Sequence, residues 1–144
     1  MVGRNPRYAV TDTFQQAVGG FLLAGPFVVT QEVWDLAIGM AWYQALVTVG
    51  LVFAIGYAAL YRADSDRDPD REAEVAGVPV RFLSLVSVSY LSVLVLALAF
   101  DAPGTFLVPL FGEDLRTIAW VTVKAVSVAS VFSVIGAATA DSLF

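Results

Sequence analysis

From Trp42 to Tyr61 the chain runs for twenty residues without a charge. A helix needs about 20 mainly apolar residues to cross a hydrocarbon core of about 30 Å, so this stretch is long enough to span a bilayer and too apolar for a helix facing water. Three further stretches read the same way, at about residues 12–33, 82–100 and 115–138. The expected fold is an all-α integral membrane protein with four transmembrane helices, residues 1–144 forming one domain. The overall 58% of hydrophobic residues agrees, lying above the 45–50% usual for soluble domains.

The first of these stretches is the unusual one. Only Ala17 to Val29 is purely apolar, so a spanning helix must carry Gln15 and Gln16 at one end and Gln31 and Glu32 at the other. Gly25 and Pro26 interrupt it, and Pro26, lacking an N–H, leaves the Leu22 carbonyl without its helical partner. Thr11, Asp12 and Thr13 supply N-cap candidates. Val33 to Met40 reads as an amphipathic connection bracketed by Trp34, Trp42 and Tyr43, rings of the kind found at headgroup level.

In the second span Gly50, Ala54 and Ala58 fall at successive i+4 steps, and in the fourth Ala129, Ser133 and Ala137 do the same. Such small-residue stripes let helix backbones approach closely in lipid, so both are expected to pack against other helices, the first against one from another subunit. A homo-oligomer is expected on that ground, with the lipid bilayer as surroundings and other membrane subunits as further partners. The third span carries Ser84, Ser87, Ser89, Tyr90 and Ser92 in its first half. After it, Asp101 to Gly104 form a break, and 105–111 is apolar enough to lie along an interface.

Residues 62–81 form the one hydrophilic loop, with four basic and six acidic residues. The Asp64, Asp66, Asp68 spacing is not a calcium loop, because the glycine of position 6 and the glutamate of position 12 are missing. A solvated loop is expected there, with no metal and no nucleic-acid partner. Two basic residues precede the first span and four lie between the second and third, against none and one in the other connections. The positive-inside rule therefore assigns both termini and the charged loop to the cytoplasm, in the cell membrane. Residues 1–8 lack a small-residue cleavage pattern, so this arm is expected to stay attached.

The chain has no Cys and no His, which removes thiol nucleophiles, disulfides, the commonest metal ligand and the usual neutral-pH base. An enzyme is not expected, nor a cofactor. Lys124 is the sole lysine, eight residues beyond Arg116 and hence about 12 Å deeper in the bilayer. A central lysine costs about 2.5–3.5 kcal/mol on insertion scales, so it should face the bundle interior and find a carboxylate, a hydroxyl or water. Glu32 and Asp35 are the carboxylates nearest in depth and Tyr90 lies near the midplane. The expected gate is therefore Glu32, Lys124 and Tyr90, with Gln31 nearby. In this reading the protein forms an ion or proton pathway lined by the broken first helix; the alternative is a non-catalytic structural or accessory subunit in which the same charges only fix helix register.

The segment Gly20 to Trp34 resembles the opening signature of the small integral membrane proteins grouped as domain of unknown function 2391, a glycine-rich first helix, a proline, then Thr-x-Glu-x-Trp. Pro26, Thr30, Glu32 and Trp34 match that pattern, and the resemblance covers roughly a third of the chain. No activity is assigned to that family, so the resemblance implies that these four residues act as a unit without supplying chemistry. It also fits a source among salt-loving archaea, as does the net charge of −5 with one lysine, since dense carboxylates keep a surface hydrated in concentrated salt.

Overall fold

A computed structural model of the protein describes residues 10–62, 74–75 and 77–143, nearly all of them helical. Helix α1 (Val10–Val28) is followed by the short α2 (Gln31–Gly39), then by α3 (Trp42–Tyr57), which runs on through a π-helical turn at Ala58–Arg62. A hairpin of β1 (Glu74–Val75) antiparallel to β2 (Val78–Pro79) leads into α4 (Val80–Ala99). Two short helices, α5 (Ala102–Phe106) and α6 (Val108–Phe111), precede the long α7 (Leu115–Leu143). The stretch with the Asp64, Asp66, Asp68 spacing lies outside the described residues.

Among the described residues three helices are long and apolar enough to cross a membrane: Trp42–Tyr61, Val80–Ala99 and Leu115–Ser142. The bent pair of α1 and α2 makes a fourth if it counts as one span. Helix α1 packs most extensively against α7 and then against α4, while α3 lies to one side against α7.

The first helix departs from the continuous 12–33 span that the sequence suggests. It carries on past Gly25 and Pro26 to Val28 and breaks at Val29 and Thr30, where α2 turns away by 79°. Pro26 stands in the last turn of α1, where it removes one hydrogen bond without ending the helix. The break is held by side chains: the Thr30 hydroxyl donates to the Phe27 carbonyl at 2.8 Å, and the buried Trp34 indole N–H donates to the Val28 carbonyl at 2.8 Å. Two carbonyls orphaned at the end of α1 are thereby satisfied. Trp34 also stacks on Phe106 at a centroid distance of 6.0 Å, fastening α2 to α5.

The start of α7 is capped by Asp114, whose carboxylate accepts from the Thr117 hydroxyl at 2.7 Å and the Thr117 N–H at 3.3 Å. Those hydrogen bonds, the hydroxyl's first, hold the Asp114 carboxyl below its ordinary range. At its other end α7 runs five residues beyond the expected 138 and carries Asp141 back into the bundle.

Helices α1 and α7 meet backbone to backbone. A Cβ at Gly19 would collide with the Gly136 carbonyl, and one at Gly136 with the Gly19 carbonyl. In the expected stripe on α7, Ala129, Ser133 and Ala137 are all fully buried, the first two toward α1 and Ala137 in the cluster with Val52 and Leu85. Gly50, Ala54 and Ala58, in contrast, face outward, and a Cβ at Gly50 would meet nothing within 4 Å. In thermal unfolding of the detergent-solubilised protein, Gly136→Val is expected to destabilise by about 3 kcal/mol, the upper end of the range for overpacking. Gly50→Val should stay within about 0.5 kcal/mol; equal losses at the two sites would contradict this packing.

Candidate functional site: a buried polar seam between α1, α4 and α7

Three helix ends converge on a guanidinium. Arg81, in the first turn of α4, donates from Nη1 to Asp141 of α7 at 2.6 Å and from Nη2 to Asp12 of α1 at 3.1 Å. Gln16, one turn beyond Asp12, donates through Nε2 to the other Asp141 oxygen at 3.1 Å, and its Oε1 accepts from the Ser84 hydroxyl at 2.7 Å. Arg81, Asp141 and Gln16 are buried. The starts of α1 and α4 and the end of α7 therefore share one end of the bundle. Arg81 is a folded residue of α4 rather than part of the solvated loop that the sequence suggested, because Pro79 starts the helix before it and two carboxylates receive it.

One turn further along α1 comes Gly20. The Ser133 hydroxyl of α7 lies against its carbonyl at 3.1 Å and against the Ser89 carbonyl of α4 at 3.2 Å. A Cβ at Gly20 would stand 3.0 Å from Ser133 Oγ and 3.2 Å from Ser92 Oγ, so the glycine makes room for two hydroxyls from facing helices. Beyond Ser133, α7 presents Ser130, Ser127 and Lys124 at steps of three residues, each buried, with a rise of about 4.5 Å per step. Neither the buried Ser130 hydroxyl nor the buried Tyr90 hydroxyl has a hydrogen-bond partner of good geometry among the described residues, although the latter lies against Ser127. An apolar cavity of about 180 Å³, lined by Tyr90, Leu91, Leu94, Thr122, Val123 and Val126, flanks Tyr90. Its hydroxyl at Thr122 already donates to the Ile118 carbonyl at 2.7 Å.

The expected gate of Glu32, Lys124 and Tyr90 does not form. Lys124 does face inward, but its ammonium donates to the Met40 carbonyl at 2.8 Å and lies 5.3 Å from the Trp120 ring. Glu32, Gln31 and Asp35 are exposed on α2. The physical reason is the 79° bend at Thr30, which leaves Glu32 exposed in the first turn of α2 and brings the Met40 carbonyl, just past the other end of that nine-residue helix, to the Lys124 ammonium, with the two ends of α2 about 12 Å apart. Of the four residues of the family-like signature, Thr30 and Trp34 hold the α1–α2 break, Pro26 and Glu32 are exposed, and Gly25 is half-buried with Leu96 4.0 Å from where a Cβ would stand.

The Asp12, Arg81, Asp141 cluster went unread in the sequence. Asp12 resembles a cap, Arg81 the end of a charged loop, and Asp141 a tail residue. The available signal was an isolated acid, Asp141, after more than twenty residues of α7 in which Lys124 is the only charge. Among the described residues no group of three His, Cys, Asp or Glu could hold a metal ion. Comparison of the chain with known protein families, curated proteins and solved structures finds no match in any of the three.

Because Glu32 and Lys124 occupy opposite ends of α2, their substitutions should act independently. Glu32→Gln is expected to stay within about 0.5 kcal/mol, while Lys124→Met, which strands the Met40 carbonyl, should cost about 1.5–3 kcal/mol. In the double variant the two effects should add to within about 0.5 kcal/mol. A coupling well above that, measured by chemical or thermal unfolding in detergent, would mean that the two side chains meet.

Proposed function

We propose that this is a multi-pass protein of the cell membrane that passes a proton or small ion through its own interior, along the seam between α1, α4 and α7. The supporting observation is that buried polar side chains recur at successive levels of the seam: Gln16, Arg81 and Asp141 at one end, Ser89, Ser92 and Ser133 around Gly20, then Ser130, Ser127 and Lys124. Polar groups inside a membrane are expensive, and ionisable ones that face a bundle interior mark ion and proton pathways. Helix α1 contributes its inner face, with Gln16 and Gly20. Its outer face, with Val18, Phe21 and Leu22 exposed, offers hydrocarbon only and no second route along an oligomer axis.

By the positive-inside rule we assign the Arg81 end, the termini and the charged loop to the cytoplasm. The exposed Gly50, Ala54 and Ala58 stripe of α3 favours a second reading, an accessory subunit that docks another membrane helix or a second copy there. We assign no enzymatic activity, since a chain without His or Cys offers few nucleophile and base pairs.

Flux decides between the two readings. Purified protein in liposomes should collapse an imposed proton or monovalent-cation gradient faster than protein-free liposomes do, and Lys124→Met should alter the rate. Gradients that decay equally with and without protein would remove the pathway and leave the accessory reading; Ala54→Leu should then disrupt assembly without affecting the fold.

A further inference from the structure

Resting on the interior pathway just proposed, we infer that the seam binds water at Tyr90, Ser127 and Ser130 and that the species it carries is the proton. Most buried hydroxyls in proteins have a hydrogen-bond partner, and one without it loses its solvation on folding. Two orphans, Tyr90 and Ser130, occur here on facing helices, one of them against the third hydroxyl at Ser127. The cavity beside Tyr90 is apolar apart from the hydroxyls of Tyr90 and Thr122, the second of which donates to the Ile118 carbonyl. Water fits this site as it fits buried polar sites generally, with two to four polar partners per molecule.

The remainder of the seam excludes metal cations. A bare cation needs a cage of oxygens in place of its hydration shell. The site's own side chains supply the hydroxyl oxygens of Tyr90, Ser127 and Ser130, fewer than the roughly six oxygens such a cation takes, and the Gly20 and Ser89 carbonyls already lie against the Ser133 hydroxyl. A proton needs only consecutive hydrogen bonds. Each hydroxyl or water accepts a proton on one side and releases one on the other, so only O–H and N–H bonds break and form, and one proton leaves for each that enters. Lys124 stands about one turn of α7 from Ser127 and donates to the Met40 carbonyl. Toward the other end of the seam, Gln16 lies about one turn of α1 from Gly20 and donates to the Asp141 carboxylate at 3.1 Å.

The experiment uses the full chain in liposomes and nanodiscs. Tyr90→Phe combined with Ser130→Ala removes only the orphan hydroxyls, so the variant should fold and melt as the parent does, and proton flux should fall by about 10²-fold, the low end of what one positioned proton-transfer group contributes. Thr139→Ala, at an exposed hydroxyl bonded to its own helix, should leave flux unchanged. Water contacts measured by NMR on tyrosine-labelled protein should include one that disappears in Tyr90→Phe. Unchanged proton flux in the double variant, or no such water contact, would overturn the inference. Sodium or potassium flux without proton flux would overturn it while leaving the pathway standing, and no flux of any ion would remove both.

Discussion

The backbone contact between Gly19 of α1 and Gly136 of α7 is the constraint on which the rest of the bundle depends. In lipid, apolar side chains gain little by meeting one another, so helices associate where small residues let their backbones approach and van der Waals contact accumulates. With these two glycines touching, the side chains one turn to either side are fixed at short range. Gln16 reaches Asp141 on one side, and Gly20 meets Ser133 on the other. The polar seam is thus a consequence of the close approach: hydroxyls and an amide fit between α1 and α7 because no larger side chain does. Phe27 and Phe132 continue the same pairing farther along, stacked at 4.0 Å between centroids.

The Arg81 cluster turns that approach into a register. A guanidinium shared by carboxylates on two other helices can be satisfied at only one relative height of α1, α4 and α7. A buried ion pair of this kind is weak evidence for net stability, because desolvation offsets much of the attraction, but removing one partner leaves a buried charge and costs about 3–5 kcal/mol. Its contribution is to penalise slipped arrangements of helices that are otherwise uniformly apolar. That is a task for which packing of Leu, Val and Ala alone is poorly suited.

The parts of this architecture legible in the sequence were those set by local pattern. Uninterrupted apolar runs marked the start of α3, the end of its π-helical continuation and both ends of α4 to within two residues, and the small-residue spacing on α7 marked a buried face. Lys124 was read as inward-facing because a central charge must be, which holds. Its partner could not be read, since depth along a helix does not say which residues of a bent neighbour lie alongside; the turn at Thr30 swings Glu32 away from the bundle and brings the Met40 carbonyl in. The Arg81 cluster was illegible for a related reason. Its members, at positions 12, 81 and 141, stand at least 60 residues apart, and each has an ordinary local explanation as a cap, loop or tail residue, so nothing short of the packed bundle joins them.

Lys124 also has a mechanical role that accounts for how the most exposed span stays attached. Only 22% of the apolar window of α3 is buried, and the helix is fastened chiefly near its ends. At the end next to Arg62, Gly56 lets Val134 and Leu85 approach to within 3.2 Å of where a Cβ would stand, and Tyr57 packs on Tyr61 and Phe82. At the other end, the Lys124 ammonium grips the Met40 carbonyl just before Ala41, whose N–H is capped by the Gln44 side chain at 2.8 Å. The bond to Met40 therefore holds the joint between α2 and α3 against α7. A carbonyl left without its partner costs about 1–3 kcal/mol, so loss of the ammonium would release the joint and free one end of α3. The same buried cation thus anchors the outermost helix to α7 through the α2–α3 joint.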